Sequence, residues 1–134
     1  MYDLDITSLL KARKAFFDVL AQSDKLEKEF YEVFRAAVIQ NFEFSFELSH
    51  KFMRRWLEFD DIAEVQGILN KKELFRIARE KGLITDTLKW FDYLNTRNKI
   101  SHVYDENIAE EVFKIAKHFY VDFESFIKAL EMRL

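Results

Sequence analysis

The chain contains no proline, and its only glycines among 134 residues are Gly67 and Gly82. Proline and glycine are the residues that most often interrupt regular elements, so their scarcity favours long, unbroken helices. Apolar residues also recur at a spacing close to 3.6 through most of the chain, which is typical of helices with one buried face. The sequence therefore predicts an all-α fold in a single domain spanning residues 1–134. We expect an antiparallel bundle of about five helices with a four-helix up-and-down core.

The first two helices are placed by their apolar stripes. We expect the first over about residues 5–22, with an inner side made of Leu9, Leu10, Phe16, Phe17 and Leu20. The second is long, over about residues 25–59, and Ser23 or Asp24 is suited to cap its first turn. Its inner ridge is Phe30, Phe34, Val38, Phe42, Phe46, Phe52 and Trp56.

Capping residues place the other three helices. After a loop around residues 60–70, Asn70 caps a short helix over residues 71–81, and Gly82 closes it in the left-handed conformation. Thr85 starts a helix that enters the segment RNKISH, and Asp105 caps the last helix. The inner stripe of that helix is Ile108, Val112, Ile115, Phe119, Phe123, Phe126, Ile127 and Leu130.

Composition narrows the function classes. Hydrophobic residues make up 49% of the chain and charged residues 34%, which is typical of a globular protein, and the absence of cysteine excludes disulfides and thiolate metal sites. The net charge of −3 gives no overall positive field, so specific DNA binding is not expected, whereas a local patch could still handle RNA. The N-terminal stretch does not resemble a signal peptide, and no apolar run reaches membrane-spanning length. We therefore expect a cytoplasmic protein without membrane contact.

The segment RNKISHVY, Arg97 to Tyr104, is the strongest candidate for a functional site. Arg97 and His102 are five residues apart, which on a continuous helix separates them by about 140° and keeps them off one face. A helix that ends near residues 101–102 would have a loosened last turn, and this turn could bring His102 back toward Arg97. An extended Val103 would then point His102 and Tyr104 the same way. The three side chains could converge in one chain or meet across a symmetric dimer.

These residue types fit metal-free cleavage of RNA. Arginine presents a planar fork of donors suited to phosphate, and histidine exchanges a proton near neutral pH. The imidazole would activate the ribose 2′-hydroxyl, and the guanidinium would stabilise charge on the phosphorus oxygens. The structural alternative is that Arg97 and His102 only complement the negative end of a helix dipole, which is a common arrangement. Spacing alone leaves both interpretations open.

Polar residues interrupt an apolar stretch of the long helix, QNFEFSFEL at residues 40–48. Glu43 and Glu47 lie one turn apart on one face, together with Gln40. A buried carboxylate needs a cation or a hydrogen-bond donor, because an unpaired buried charge is very costly. The two glutamates could face solvent or pair with Lys51, one turn beyond Glu47. Alternatively, one of them orients Arg97 or lines the site.

Other candidate residues are weaker. His50 and His118 lack metal-ligand spacing and are expected at the surface or the edge of the core. There is no glycine-rich phosphate loop, HExxH or GxSxG motif, so no metal or cofactor is predicted. Two basic clusters are expected to be solvated helix faces that could also track phosphates weakly: Lys51, Arg54 and Arg55, and Lys71, Lys72, Arg76 and Arg79.

Four segments resemble HEPN-domain proteins, specifically the group of nucleotidyltransferase substrate-binding proteins. They are QNFEFSFEL at residues 40–48, GLI at 82–84, Trp90, and RNKISHVYDE at 97–106, and they fall in order across most of the chain. The Arg-x4-His-x-Tyr arrangement is fairly specific in this helical context. The chain departs from the family at His50, where an aromatic or other bulky residue is expected.

The resemblance implies a homodimer in which two Arg97/His102 sets face each other over a shared cleft. It also implies a partner protein, a minimal nucleotidyltransferase, with which the chain forms a toxin–antitoxin pair. In that pair the HEPN member is a metal-independent RNase, which the partner silences by transferring AMP to the motif tyrosine. Arg97 would then stabilise the phosphate, His102 would act as acid and base, Tyr104 would be modified and Asn98 would shape the site. The alternative within the same family is a non-catalytic subunit that presents a substrate or nucleotide to the nucleotidyltransferase.

Overall fold

The structure, a computed structural model, describes residues 4–22, 28–60 and 70–134. Within these ranges all regular structure is helical, which confirms the predicted fold class. The helices are α1 (Thr7–Leu20), α2 (Tyr31–Asp60), α3 (Lys71–Glu80), α4 (Thr87–Asn98) and α5 (Glu106–Glu131). Two short 3-10 turns accompany them: Lys28–Phe30 leads into α2, and Ile100–His102 follows α4.

The helices form an antiparallel bundle around an aromatic core. α1, α2 and α5 pack against one another, α4 packs on α2 and α5, and α3 lies against α2 and α4. Phe119 of α5 is at the centre, and its ring meets those of Phe42, Tyr93 and Trp90 edge-on at centroid distances of 5.2, 4.9 and 5.4 Å. Each such ring removes a large apolar area from water, and edge-on contacts add a modest further attraction.

Three predicted helix boundaries are confirmed by their capping geometry. The side chain of Asn70 accepts a hydrogen bond from the backbone N–H of Glu73 at 2.9 Å. Gly82 has a φ of 80°, the left-handed conformation that a helix C-terminus commonly requires. The Asp105 carboxylate accepts from the backbone N–H groups two and three residues ahead, at 2.9 and 3.2 Å. These caps satisfy amide groups that have no partner within their helices.

Other sequence expectations are wrong in detail. Phe17 is 56% exposed rather than inward-facing, because it lies about 100° around α1 from the buried Phe16. Phe30 is also exposed, since it belongs to the 3-10 turn before α2. The fourth helix starts at Thr87 instead of Thr85, because the Asp86 side chain accepts from the N–H of Lys89 and so acts as its cap. The proposed caps Ser23 and Asp24, and most of the predicted loop at residues 60–70, lie outside the described residues.

Among the described residues, no helix combines the length and apolar character needed to cross a membrane.

Candidate active site

The RNKISHVY segment forms the corner between α4 and α5. α4 ends at Asn98, earlier than expected, and a 3-10 turn over Ile100–His102 carries the chain away from its axis. Val103 has φ −71° and ψ −2°, so the extended conformation that would align His102 with Tyr104 is not the one present. His102 and Tyr104 nevertheless lie together, with Nδ1 of the imidazole 3.4 Å from the tyrosine hydroxyl and the rings 6.0 Å apart. The compact turn, rather than strand-like alternation, brings these two side chains to one side.

Arg97 is held on the other side of the corner by the two glutamates of α2. Its Nε donates to Glu47 Oε1 at 3.1 Å, and its Nη1 lies 3.5 Å from Glu43 Oε2. Nη2 takes part in neither contact. Because Glu43 and Glu47 are one helical turn apart, they contact the guanidinium from two positions along α2. The Arg97 side chain is about one third exposed, so it is oriented by the glutamates and is still partly accessible to solvent.

Lys71 of α3 completes this charge cluster. Its Nζ is 3.3 Å from Glu47 Oε1, so Glu47 pairs with Lys71 and Arg97, and of the alternatives left open by the sequence the contact with Arg97 is present. Partial burial acts to raise the pKa of Glu47, but the two cations outweigh it and hold that pKa below its ordinary value. Glu47 is therefore ionised at neutral pH and links α2, α3 and α4.

A cavity of about 610 Å³ opens beside Arg97, and we call it the α2 cavity. Its walls are Gln40, Asn41, Glu43, Phe44, Glu47 and Arg97. A smaller cavity of about 230 Å³ adjoins it along α2, shares Gln40 and Glu43, and is bounded on the far side by Ile100 and Val103 of the corner. The polar stretch of the long helix thus lines two neighbouring cavities, which we together call the groove, and the RNKISHVY segment contributes Arg97 to one and Ile100 and Val103 to the other.

The predicted site residues fall into two groups. Arg97, Glu43 and Glu47 form one group at the α2 cavity, whereas His102 and Tyr104 form the other at the corner. Tyr104 is 84% exposed, and His102 and Asn98 are exposed as well. No hydrogen bond or ring contact joins the two groups within one chain, although both border the same end of the bundle.

Sequence reasoning missed the residue that anchors the corner, Arg35 of α2. Arg35 is buried, and its guanidinium donates to Glu106 at 2.5 and 3.1 Å and to Glu110 at 2.7 Å. Tyr31 donates to the same Glu110 carboxylate at 2.6 Å. An arginine beside the apolar ridge of α2, and two glutamates one turn apart at the start of α5, were the available signals. This network ties the first turn of α5, which directly follows Tyr104, to α2.

Hydrogen bonds to Tyr31 and Arg35 lower the pKa of Glu110, and the bond to Arg35 lowers that of Glu106. The pKa of Arg35 is raised in turn by its bonds to the two carboxylates, so it carries its charge at any working pH.

The remaining histidines stand apart from the corner. His118 is exposed on α5, and His50 is half-buried on α2 with its Nε2 buried and unpartnered. Within residues 4–22, 28–60 and 70–134, no three histidine, aspartate or glutamate side chains are grouped so that they could hold a metal ion. The second basic cluster is only partly solvated, because Lys72 and Arg76 lie over the ring of Phe91 at 5.5 and 5.3 Å.

Comparison with known proteins places this arrangement in a family. The chain matches the family model described as nucleotidyltransferase substrate binding protein like over residues 4–132. It is 37% identical over 99 residues to a Haemophilus influenzae protein described as a probable ribonuclease, HepT. The matched region covers 73% of this chain and 68% of that protein. It also resembles the solved Haemophilus influenzae structure HI0074, reported to reveal the fold of a substrate binding domain of a nucleotidyltransferase. That likeness has a TM-score of 0.86 and 30% identity over 95% of this chain and 99% of the other. The chain belongs to the nucleotidyltransferase substrate-binding family of HEPN-type helical proteins.

Proposed function

We propose that the chain is a metal-independent endoribonuclease of the HEPN type, with Arg97 and His102 as its catalytic residues. The observation that carries the proposal is an arginine fixed by Glu43 and Glu47 beside a cavity, near a corner whose Ile100 and Val103 line the adjoining cavity and whose His102 is exposed. A fixed guanidinium can stabilise charge on the phosphorus oxygens and an accessible histidine can transfer protons, which are the two kinds of assistance that phosphodiester transfer within RNA uses. The name of the related ribonuclease supports the same chemistry.

The proposed reaction breaks one phosphodiester bond without consuming water. His102 takes the proton of a ribose 2′-hydroxyl, and the resulting oxygen attacks the adjacent phosphorus. The bond from phosphorus to the 5′-oxygen of the next nucleotide breaks, and that oxygen receives a proton from an imidazolium. The products are a 2′,3′-cyclic phosphate and a free 5′-hydroxyl. Arg97 donates to the phosphorus oxygens as charge builds on them.

A second copy of the chain completes the centre in this proposal. Arg97 and His102 make no contact within one chain, since Arg97 pairs with Glu43 and Glu47 whereas His102 lies against Tyr104. In a two-fold symmetric dimer, Arg97 of one copy faces His102 of the other, and the same pairing recurs at the symmetry-related position. The family resemblance, which implies facing Arg97/His102 sets, supports this arrangement.

Tyr104 is the proposed point of control by a minimal nucleotidyltransferase partner. Its hydroxyl is largely exposed and lies 3.4 Å from His102 Nδ1, so a transferase can reach it and a neighbouring base is at hand. The tyrosine oxygen would attack the α-phosphorus of ATP, pyrophosphate would leave, and the hydroxyl proton would be lost. The attached AMP would place a negative charge and a nucleoside beside His102 and exclude RNA. The chain would then be the toxin of a toxin–antitoxin pair.

The second candidate function is a non-catalytic subunit that holds a substrate for the nucleotidyltransferase. The family description and the related solved structure favour it, and so does the pairing of Arg97 with two carboxylates, which offsets its attraction for phosphate. In this function Arg97 and His102 bind a ligand without reacting. The two functions share the groove and the partner and differ only in whether RNA is cut.

Cleavage of RNA by the purified protein in EDTA distinguishes them. We expect the wild type to cut RNA and to leave 2′,3′-cyclic phosphate ends, and His102→Ala to lose at least about a hundredfold in rate. His118→Ala is the matched control, because it removes an exposed histidine away from the corner and should keep full activity. Undiminished cutting by His102→Ala would contradict the catalytic assignment, and a wild type that binds RNA without cutting it would favour the second function.

Mass spectrometry of the chain after incubation with the partner and ATP tests the control step. The expected result is an added AMP on wild type and on Tyr31→Phe, none on Tyr104→Phe, and loss of RNA cleavage in step with modification. AMP found on another residue would contradict the assignment of Tyr104.

A further inference from the structure

Phe44 is the only apolar residue among those lining the α2 cavity, and 60% of its surface is exposed. Its neighbours Phe42 and Phe46 point the other way and meet the ring of Phe119 at 5.2 and 6.0 Å. Within the described part of the chain, Phe44 contacts no other ring. The ring of Phe44 therefore stays outside the aromatic core and lies at the groove that contains Arg97.

The α2 cavity offers hydrogen-bond acceptors on Asn41, Glu43 and Glu47, beside the donors of Gln40 and Arg97. One N–H of the Asn41 amide donates to the backbone oxygen of Ala37 at 2.8 Å, and its Oδ1 is available to a ligand. Glu43 and Glu47 present carboxylate oxygens, which accept only. A phosphate placed among these groups would be repelled, whereas a neutral ring bearing N–H donors would be held.

We propose that the α2 cavity is a nucleobase subsite, in which a base of the RNA stacks on Phe44 and donates its amino hydrogens to Asn41 and Glu43. This inference rests on the proposed function for the identity of the substrate. Arg97, at the edge of the same cavity, contacts the phosphate attached to that nucleotide. Stacking on an exposed aromatic tolerates any base, so selectivity comes from the acceptors. They favour adenine, cytosine or guanine, which carry an exocyclic amino group, over uracil, which does not.

The charge of the cavity favours a base over a protein contact. Apart from Phe44, all its lining residues are polar or charged, including Glu43, Glu47 and Arg97. Cores of protein–protein interfaces are depleted in charged residues, particularly glutamate. A base offers an apolar face for the Phe44 ring together with N–H donors for Asn41 and Glu43, so it can contact these three walls of the cavity at once.

The test uses a short 2′-O-methyl oligoribonucleotide containing 2-aminopurine, a fluorescent base that is quenched when it stacks. The blocked 2′-oxygen prevents cleavage, so binding is measured on the intact full-length protein. We expect wild type and Phe44→Tyr to quench the probe, and Phe44→Ala to bind about tenfold more weakly with little quenching. Phe17→Ala, at an equally exposed phenylalanine of α1, should behave as wild type. Replacing neighbouring adenines by uracils should weaken binding to the wild type.

Three results would overturn the subsite. They are no quenching by the wild type, equal quenching by Phe44→Ala, and a change in particle mass of Phe44→Ala by light scattering, which would assign Phe44 to a protein interface. The test is separate from that of the proposed function. If the protein quenches the probe through Phe44 but cuts no RNA, the base subsite stands and the ribonuclease proposal fails. If it cuts RNA and Phe44→Ala cuts with unchanged KM, the ribonuclease stands and the subsite fails.

Discussion

At the scale of single residues, the charged groups around Glu47 affect the orientation of Arg97 and the pKa of His50. Glu47 accepts from both Lys71 and Arg97, so a single carboxylate orients the guanidinium proposed to act on phosphate. His50 lies one turn from Glu47 on α2, where burial, Lys71 and Arg54 lower its pKa to about 4 against an opposing effect of Glu47. His50 is also the position at which the chain departs from the bulky residue expected in this family. It is therefore a neutral side chain in the folded protein at pH 7.

His50 should make the fold sensitive to acid. Its pKa is about 4 in the folded chain and 6.5 as the ordinary value, so the unfolded chain binds the extra proton between these values. The free energy of unfolding should consequently fall as pH decreases from about 6.5 to about 4, by on the order of 2 kcal/mol for a half-buried group. His50→Phe should remove this part of the loss, as measured by denaturant unfolding at pH 7 and pH 4.5.

His118→Phe is the control for that experiment, since it makes the same substitution at an exposed histidine and should retain the acid-induced loss. An identical loss in wild type and His50→Phe would show that His50 does not carry the effect.

At the scale of elements, the corner between α4 and α5 depends on α2. Asp105 caps α5, and Arg35 holds Glu106 and Glu110 in the first two turns of that helix. His102 and Tyr104 lie just before this turn, so their position is set from the α5 side by a buried arginine and from the α4 side by the 3-10 turn. The positions of His102 and Tyr104 therefore depend on contacts between α2 and α5, although neither helix contributes a proposed catalytic atom at the corner.

Arg35→Met should loosen this corner. The substitution fills most of the buried volume but removes three charged hydrogen bonds, so we expect a melting temperature several degrees lower. Hydrogen exchange of the backbone amides at residues 106–110 should accelerate relative to those of α3. Arg13→Met, which removes only a 3.7 Å pair with Glu131, should have a much smaller effect. Equal effects of the two substitutions would show that the Arg35 network does not anchor α5.

The elements themselves were largely predictable, because local chemistry determines them. The helix ends are marked by side-chain hydrogen bonds that span three residues at Asn70 and Asp105, and by the backbone conformation of Gly82. Such local signals are visible in the sequence. The partners of Glu47 could not be chosen in this way, since Lys71 and Arg97 lie 24 and 50 residues away along the chain. Likewise, the expected burial of Phe17 was wrong because a step of one residue along α1 separates the buried ring of Phe16 from the exposed ring of Phe17. Contacts between helices, and not helix formation, were the part that required the structure.

At the scale of the whole molecule, the bundle presents Arg97 and His102 at one end without joining them. Arg97 pairs with Glu43 and Glu47, and His102 lies against Tyr104, so the two proposed catalytic residues are separate in one chain. We propose that two copies of the chain combine them, with Arg97 from one copy and His102 from the other. The sequence suggested a meeting across a dimer through the awkward five-residue spacing, and the described contacts are consistent with that requirement.

A heterodimer of Arg97→Ala and His102→Ala chains tests this claim most directly. The two variants would be co-expressed with different affinity tags, purified sequentially so that only mixed dimers remain, and assayed for RNA cleavage in EDTA. Each variant alone should be inactive, whereas the mixed dimer retains one intact pairing of Arg97 with His102 and should show about half of the wild-type rate. A mixed dimer as inactive as its parents, alongside an active wild type carrying the same tags, would contradict the shared centre.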